Sequence, residues 1–140
     1  MCCDLQYTVN GNIKTKGTTK IFKIEPHELH YPHEQFIVGF CGSASELIDL
    51  ADYYYSPENY KYIPRTRSTS GLILKKSGKI YQFDSPGKWI VLADKFASMG
   101  SGSSTALGAM HSGATPKEAV LAASKVDCFT GMGTKVLNFV

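Results

Sequence analysis

Residues 71–93 read "GLILKKSGKIYQFDSPGKWIVLA", three β-rich runs joined by one turn at Ser77-Gly78 and another at "SPG". Connections this short leave no room for the crossover that parallel neighbours require, so the runs belong to an antiparallel sheet. The amino-terminal part follows the same pattern. In "LQYTVNGNIKTK" the dipeptide Asn10-Gly11 marks a tight turn after a β-rich run. "TKIFKI" and "QFIVGF" follow as short strands, divided by the proline-punctuated "EPHELHYPHE", and "TKVLNFV" closes the chain as a last strand.

Three helical patterns interrupt the strands. Ser43 and Glu46 stand at capping-box spacing, and Ala44, Leu47, Ile48, Ala51 and Tyr55 then share one face until Pro57 stops the helix. A glycine-serine loop, Gly100 to Gly102, leads into a second helix over about 103–111, ended by Gly113. The third has a clear start: Thr115 caps, Pro116 takes the first helical position and Glu118 completes the box. Its buried face is expected to be Ala119, Val120, Ala122, Ala123 and Val126. Strands, helix, strands, two helices, strand is an α+β order. With 140 residues, 15.3 kDa and no repeat or linker, the chain is expected to be a single domain over 1–140.

Composition narrows the function classes. A net charge of +3, with basic residues scattered along the chain, lacks the dense stripe of a nucleic-acid binder. No apolar run reaches membrane length, so neither partner is expected. Four cysteines without zinc-ligand spacing, and no signal peptide, point to a reducing cytoplasm, with a Cys41–Cys128 pairing left open. His27, His30 and His33 recur every third residue, but Pro26 and Pro32 prevent one helix from presenting all three, which favours a solvated loop over a metal site. Tyr53, Tyr54, Tyr55, Tyr60 and Tyr62 form an aromatic cluster suited to a core edge or a subunit contact. "GSGSS" at 100–104 lacks the lysine of a phosphate loop and reads as a flexible loop and cap. No metal and no cofactor is expected.

The opening "MCCD" raises a separate possibility, since a processed amino-terminal cysteine would be a nucleophile with its own amine as base. The rest of the chain points elsewhere. "CD" followed by "KIFKI", then "VGFCGSASEL", "GSGSSTALGAM" and "DCFTGMGTKV", resembles the β-subunit family of the proteasome and its bacterial relative HslV. These are amino-terminal-nucleophile hydrolases built as a four-layer αββα sandwich. The resemblance implies an ion pair between Asp4 and Lys20, which stand at the family's interval of sixteen residues. It implies an oxyanion-hole amide at Gly39, and a serine near the nucleophile's amine at Ser101. The family's Asp-x-x-Ser-Gly becomes Asp127-Cys128-Phe129-Thr130-Gly131, with Thr130 keeping the hydroxyl. By the same analogy Tyr7, Thr18, Ile37 and Cys41 fall near a largely apolar substrate pocket. The implied partners are further copies in a ring and an ATP-dependent unfoldase.

The family's nucleophile is a threonine at the start of a strand that precedes the acid. Counting back from Asp4 puts it about a dozen residues before Met1, so the sandwich is expected to be truncated at its first strand. Small proteasome-like proteins of bacteriophages offer a parallel. Three readings remain. The strand and its threonine lie upstream in the native protein; or the chain is a non-catalytic assembly subunit; or Cys2, on the face of Asp4, replaces the nucleophile.

Overall fold

The structure, a computed structural model, describes residues 1–9, 13–17, 20–26, 34–59, 62, 64–84 and 88–139. Strands β1 (Cys2–Asp4), β2 (Gln6–Val9), β3 (Ile13–Lys16), β4 (Ile21–Ile24) and β5 (Phe36–Cys41) precede helix α1 (Ala44–Tyr55) and a 3₁₀ turn, Pro57–Asn59. Strands β6 (Ser70–Lys75), β7 (Ile80–Asp84) and β8 (Lys88–Leu92), helices α2 (Ser103–His111) and α3 (Pro116–Val126), and β9 (Thr134–Val136) follow. The chain divides into two compact units: Met1–Ile21 with Asp94–Val140, and Phe22–Ala93. The expected α+β order is present.

In the Phe22–Ala93 unit a five-stranded sheet forms in the order β4-β5-β6-β7-β8. β5, β6, β7 and β8 pair antiparallel in succession, with Gly39 opposite Leu72 and Gly71 opposite Phe83. Gly78 adopts φ +87° in the β6–β7 turn, a backbone state that glycine enters freely. Phe36, Ile37, Val38, Gly39 and Phe40 are all buried, so both faces of β5 are covered. Tyr54 of α1 lies against Phe36 and Phe40, with ring centroids 6.0 and 5.8 Å apart. The tyrosine cluster is thus in part a core edge. Tyr60, the three histidines and the turns at 10–12 and 85–87 lie outside the described residues.

Two expectations for α1 fail. Its buried face is Leu47, Leu50 and Tyr54, whereas Ile48 and Tyr55 are 60% and 59% exposed and Ala44 is exposed. Three consecutive tyrosines left the phase open, and contact with Phe36 and Phe40 selects the middle one. The capping box is also absent: the Ser43 side chain makes no cap bond and lies 3.0 Å from the Ser45 hydroxyl. The Glu46 carboxylate instead accepts from the Arg67 and Ser68 amides at 2.9 and 3.2 Å and from the Thr69 hydroxyl at 2.7 Å. A loop with three donors outcompetes a single helix-start amide. Hydrogen bonds from Thr69, Arg67 and Ser68 hold the Glu46 carboxyl below the ordinary glutamate range. Their contribution is therefore present above the unfolded pKa and lost as pH falls through the folded one.

In the other unit β1 pairs antiparallel with β9, and β2 with β3 as a hairpin. α2 and α3 pack through Ala106, Met110, Ala119 and Ala123, with Phe96, Leu107 and Ala109 around them. The α3 capping box is as expected: the Glu118 amide donates to the Thr115 hydroxyl at 3.3 Å and the Thr115 amide to Glu118 at 2.8 Å. Val126, expected inside, is 72% exposed, because the contact with α2 falls on the Ala119–Ala123 stripe.

Replacing Leu50, which is 1% exposed, by alanine is expected to cost about 3 kcal/mol in urea unfolding. Ile48→Ala is expected to change stability by less than about 0.5 kcal/mol. Equal effects would contradict this helix phase.

Candidate active site

Asp4 ends β1, and its carboxylate gathers the nearby donors. The Gln6 amide donates to its Oδ1 at 2.8 Å, closing a local turn, and the Lys20 ammonium lies 3.1 Å from each oxygen. Both side chains are under one-fifth exposed, so solvent and salt screen the pair only partly. The β2–β3 hairpin folds the chain back towards the acid. At its end the Gly17 amide donates to the Leu5 carbonyl at 2.9 Å, and a Cβ on Gly17 would collide with the Tyr7 ring. That ring in turn lies 5.1 Å from the Lys20 ammonium, a cation–π contact.

A second cluster forms around Asp127, where α3 ends. The Ser101 and Thr130 hydroxyls both donate to its Oδ2, at 2.6 and 2.5 Å, and the Phe129 amide donates to Oδ1 at 3.2 Å. Ser101 is exposed and precedes the first turn of α2. Gly102 makes the cluster possible, because a Cβ there would lie 2.8 Å from the Thr130 hydroxyl and 3.0 Å from Ala123 Cβ.

Gln6 joins the two clusters. Its buried side chain donates to the Cys128 carbonyl at 2.8 Å, across 122 residues of chain. The Gly131 amide approaches Asp4 Oδ1 at 3.5 Å, and a Cβ on Gly131 would lie 3.0 Å from Gln6 Oε1. The Leu5 amide is shared between the Gly131 and Gly133 carbonyls at 3.1 Å, while Met132 between them has φ +59°, unusual for a side-chain-bearing residue. No motif marks Gln6 or Gly17, and Gly102 and Gly131 are legible only as members of the 100–104 loop and the Asp127–Gly131 stretch. Gln6 had one signal: two places from Asp4, it shares that residue's strand parity.

The structure thus gathers Asp4, Tyr7, Lys20, Ser101, Asp127 and Thr130 in one unit. Gly39, Ile37 and Cys41 lie on β5 of the other, and Thr18 lies outside the described residues. No disulfide joins any of the four cysteines, so the Cys41–Cys128 pairing is not made. Burial pushes the Cys2 thiol up to about 11, with the neighbouring Cys3 adding to the shift, and burial raises Cys3 as well. Cys2 is therefore a poor nucleophile near neutral pH. Among the described residues no group of three or more His, Cys, Asp or Glu could hold a metal, and no helix is long and apolar enough to cross a membrane.

No protein-family model matches the chain, and no curated protein does. Among solved structures it is similar to eukaryotic HslV from Trypanosoma brucei, with a TM-score of 0.69 at 20% identity. The match covers 96% of this chain and 88% of that one. The fold is HslV-like. The likeness at this identity establishes the proteasome β-type fold, with its mixture of helices and antiparallel sheets.

The contacts made by Gln6, Gly102 and Cys2 lead to three predictions. Gln6→Leu strands the Cys128 carbonyl and is expected to cost about 1–3 kcal/mol by chemical denaturation. Gly102→Ala is expected to cost a similar amount, about 1–3 kcal/mol, by forcing Thr130 away from Asp127. Mass-mapped iodoacetamide labelling is expected to leave Cys2 unmodified near neutral pH and to modify it increasingly as pH rises towards about 11.

Proposed function

We propose that this chain is a peptidase subunit of the proteasome/HslV type, its two units forming one domain arranged as a four-layer αββα sandwich. The observation that carries the reading is the meeting of Asp4–Lys20 with Ser101–Asp127–Thr130, residues spread over most of the chain and joined through Gln6.

The chemistry suits hydrolysis of an amide by an amino-terminal hydroxyl. Lys20, held by Asp4, supplies positive field where a hydroxyl must lose its proton. Both hydroxyl hydrogens of Ser101 and Thr130 point at Asp127, which leaves their lone pairs to accept from an amine or a water. That geometry suits orienting a terminal amine that serves as general base. The Gly39 amide is assigned to the oxyanion of the tetrahedral intermediate, and Tyr7, Thr18, Ile37 and Cys41 to the substrate side chain. The chain is active in this reading only if an amino-terminal threonine nucleophile is supplied ahead of the strand that carries Asp4. The raised Cys2 thiol argues against a cysteine substitute. No cofactor enters the scheme. Self-association, an ATP-dependent unfoldase as partner and a cytoplasmic location complete the proposal.

Amino-terminal sequencing and intact mass of the native protein test it, together with hydrolysis of a fluorogenic peptide. A start at threonine, with Lys20→Ala and Asp127→Asn each lowering kcat by at least about 100-fold and Cys2→Ser leaving it unchanged, is the expected result. Hydrolysis that survives Lys20→Ala would overturn the assignment. A native chain that starts at Met1, assembles and hydrolyses nothing would make it a non-catalytic subunit instead.

A further inference from the structure

Two helices, one in each unit, present outward faces of opposite character. On α1 the exposed residues Ile48, Asp49, Asp52 and Tyr55 put two acids between two large apolar side chains, the latter 60% and 59% exposed. On α3, Lys117, Leu121 and Lys125 recur every fourth residue along the exposed side, with Leu121 43% exposed between two lysines. Among the described residues none of Asp49, Asp52, Lys117 or Lys125 forms an ion pair. Both faces therefore carry apolar surface that water covers and charges that form no ion pair among the described residues.

We propose that the α1 face of one copy docks on the α3 face of a second copy. Charge complementarity selects this pairing over its alternatives. Packing α1 on a second α1 would oppose Asp49 and Asp52 with the same acids, and packing α3 on a second α3 would oppose lysines. The unlike pairing sets the lysine ammoniums against the acids and seats Leu121 between Ile48 and Tyr55, which stand two turns apart. Lysine stems also cover apolar surface while keeping their charge at the wet rim. The inference deepens the self-association reading above and rests on it, adding which surfaces meet.

Light scattering after gel filtration, on the full chain at low and high salt, tests the contact through three variants. Asp49→Lys with Asp52→Lys, and Lys117→Glu with Lys125→Glu, are each expected to weaken assembly by about tenfold or more. The variant carrying all four changes is expected to recover assembly, because the charges are exchanged rather than lost. Wild-type assembly is expected to weaken in high salt. Circular dichroism checks that each variant folds, and the neutral versions, Asp49→Asn with Asp52→Asn and Lys117→Gln with Lys125→Gln, read the same contact should a reversal unfold the chain. Assembly of both reversed variants at wild-type strength, or failure of the fourfold variant to recover, overturns this contact and leaves self-association standing. A wild-type chain that stays monomeric overturns both.

Discussion

The carboxylate of Asp4 is the point on which the first unit turns. It accepts from the Gln6 amide two residues on, from Lys20 just before β4, and more distantly from Gly131 near the carboxyl terminus. A largely buried acid is costly to leave unpaired, so each donor is drawn to a fixed place. The Tyr7 ring, packed against Gly17 and beneath the Lys20 ammonium, limits where that charge can sit. Position at the end of β1, the reach of the hairpin and the closeness of the 128–133 turn are in this sense one constraint.

The second carboxylate is organised by different means. Asp127 lies where α3 stops, and α3 is held by close packing of Ala119 and Ala123 on α2. Small residues let the two helices approach, and Gly102 at the start of α2 lets Thr130 and Asp127 come near Ser101. Helix packing thus sets the distance between hydroxyls and carboxylate, and Gln6 carries that arrangement across to the Asp4 cluster. Loss of one methyl-sized space at Gly102 would act on the same geometry as loss of a hydroxyl.

Asp4, Lys20, Ser101, Asp127 and Thr130 stand out in the sequence through the family resemblance, and the structure shows which hydrogen bonds join them. The residues passed over are those whose role is a contact with something distant. Gln6 is an ordinary polar strand residue until its amide meets the Cys128 carbonyl. Glu46 shows the opposite error: its spacing from Ser43 spells a capping box, yet its carboxylate goes to the 67–69 loop. Spacing measures what a side chain can reach locally and says nothing of a better set of donors arriving from another part of the chain.

The sequence alone determined the element order, the antiparallel pairing enforced by short turns, and the start of α3 at Thr115. Each is decided by neighbours a few residues apart, where backbone geometry and local hydrogen bonds dominate. Only the tertiary structure decided the phase of α1, the exposure of Val126, the high pKa of Cys2 and the joining of the two carboxylate clusters. Those depend on which apolar surfaces are covered and which donors meet which acceptors after the chain has folded back. Burial is a property of the assembled core, and no local pattern encodes it uniquely when three tyrosines in succession offer the same hydrophobic surface.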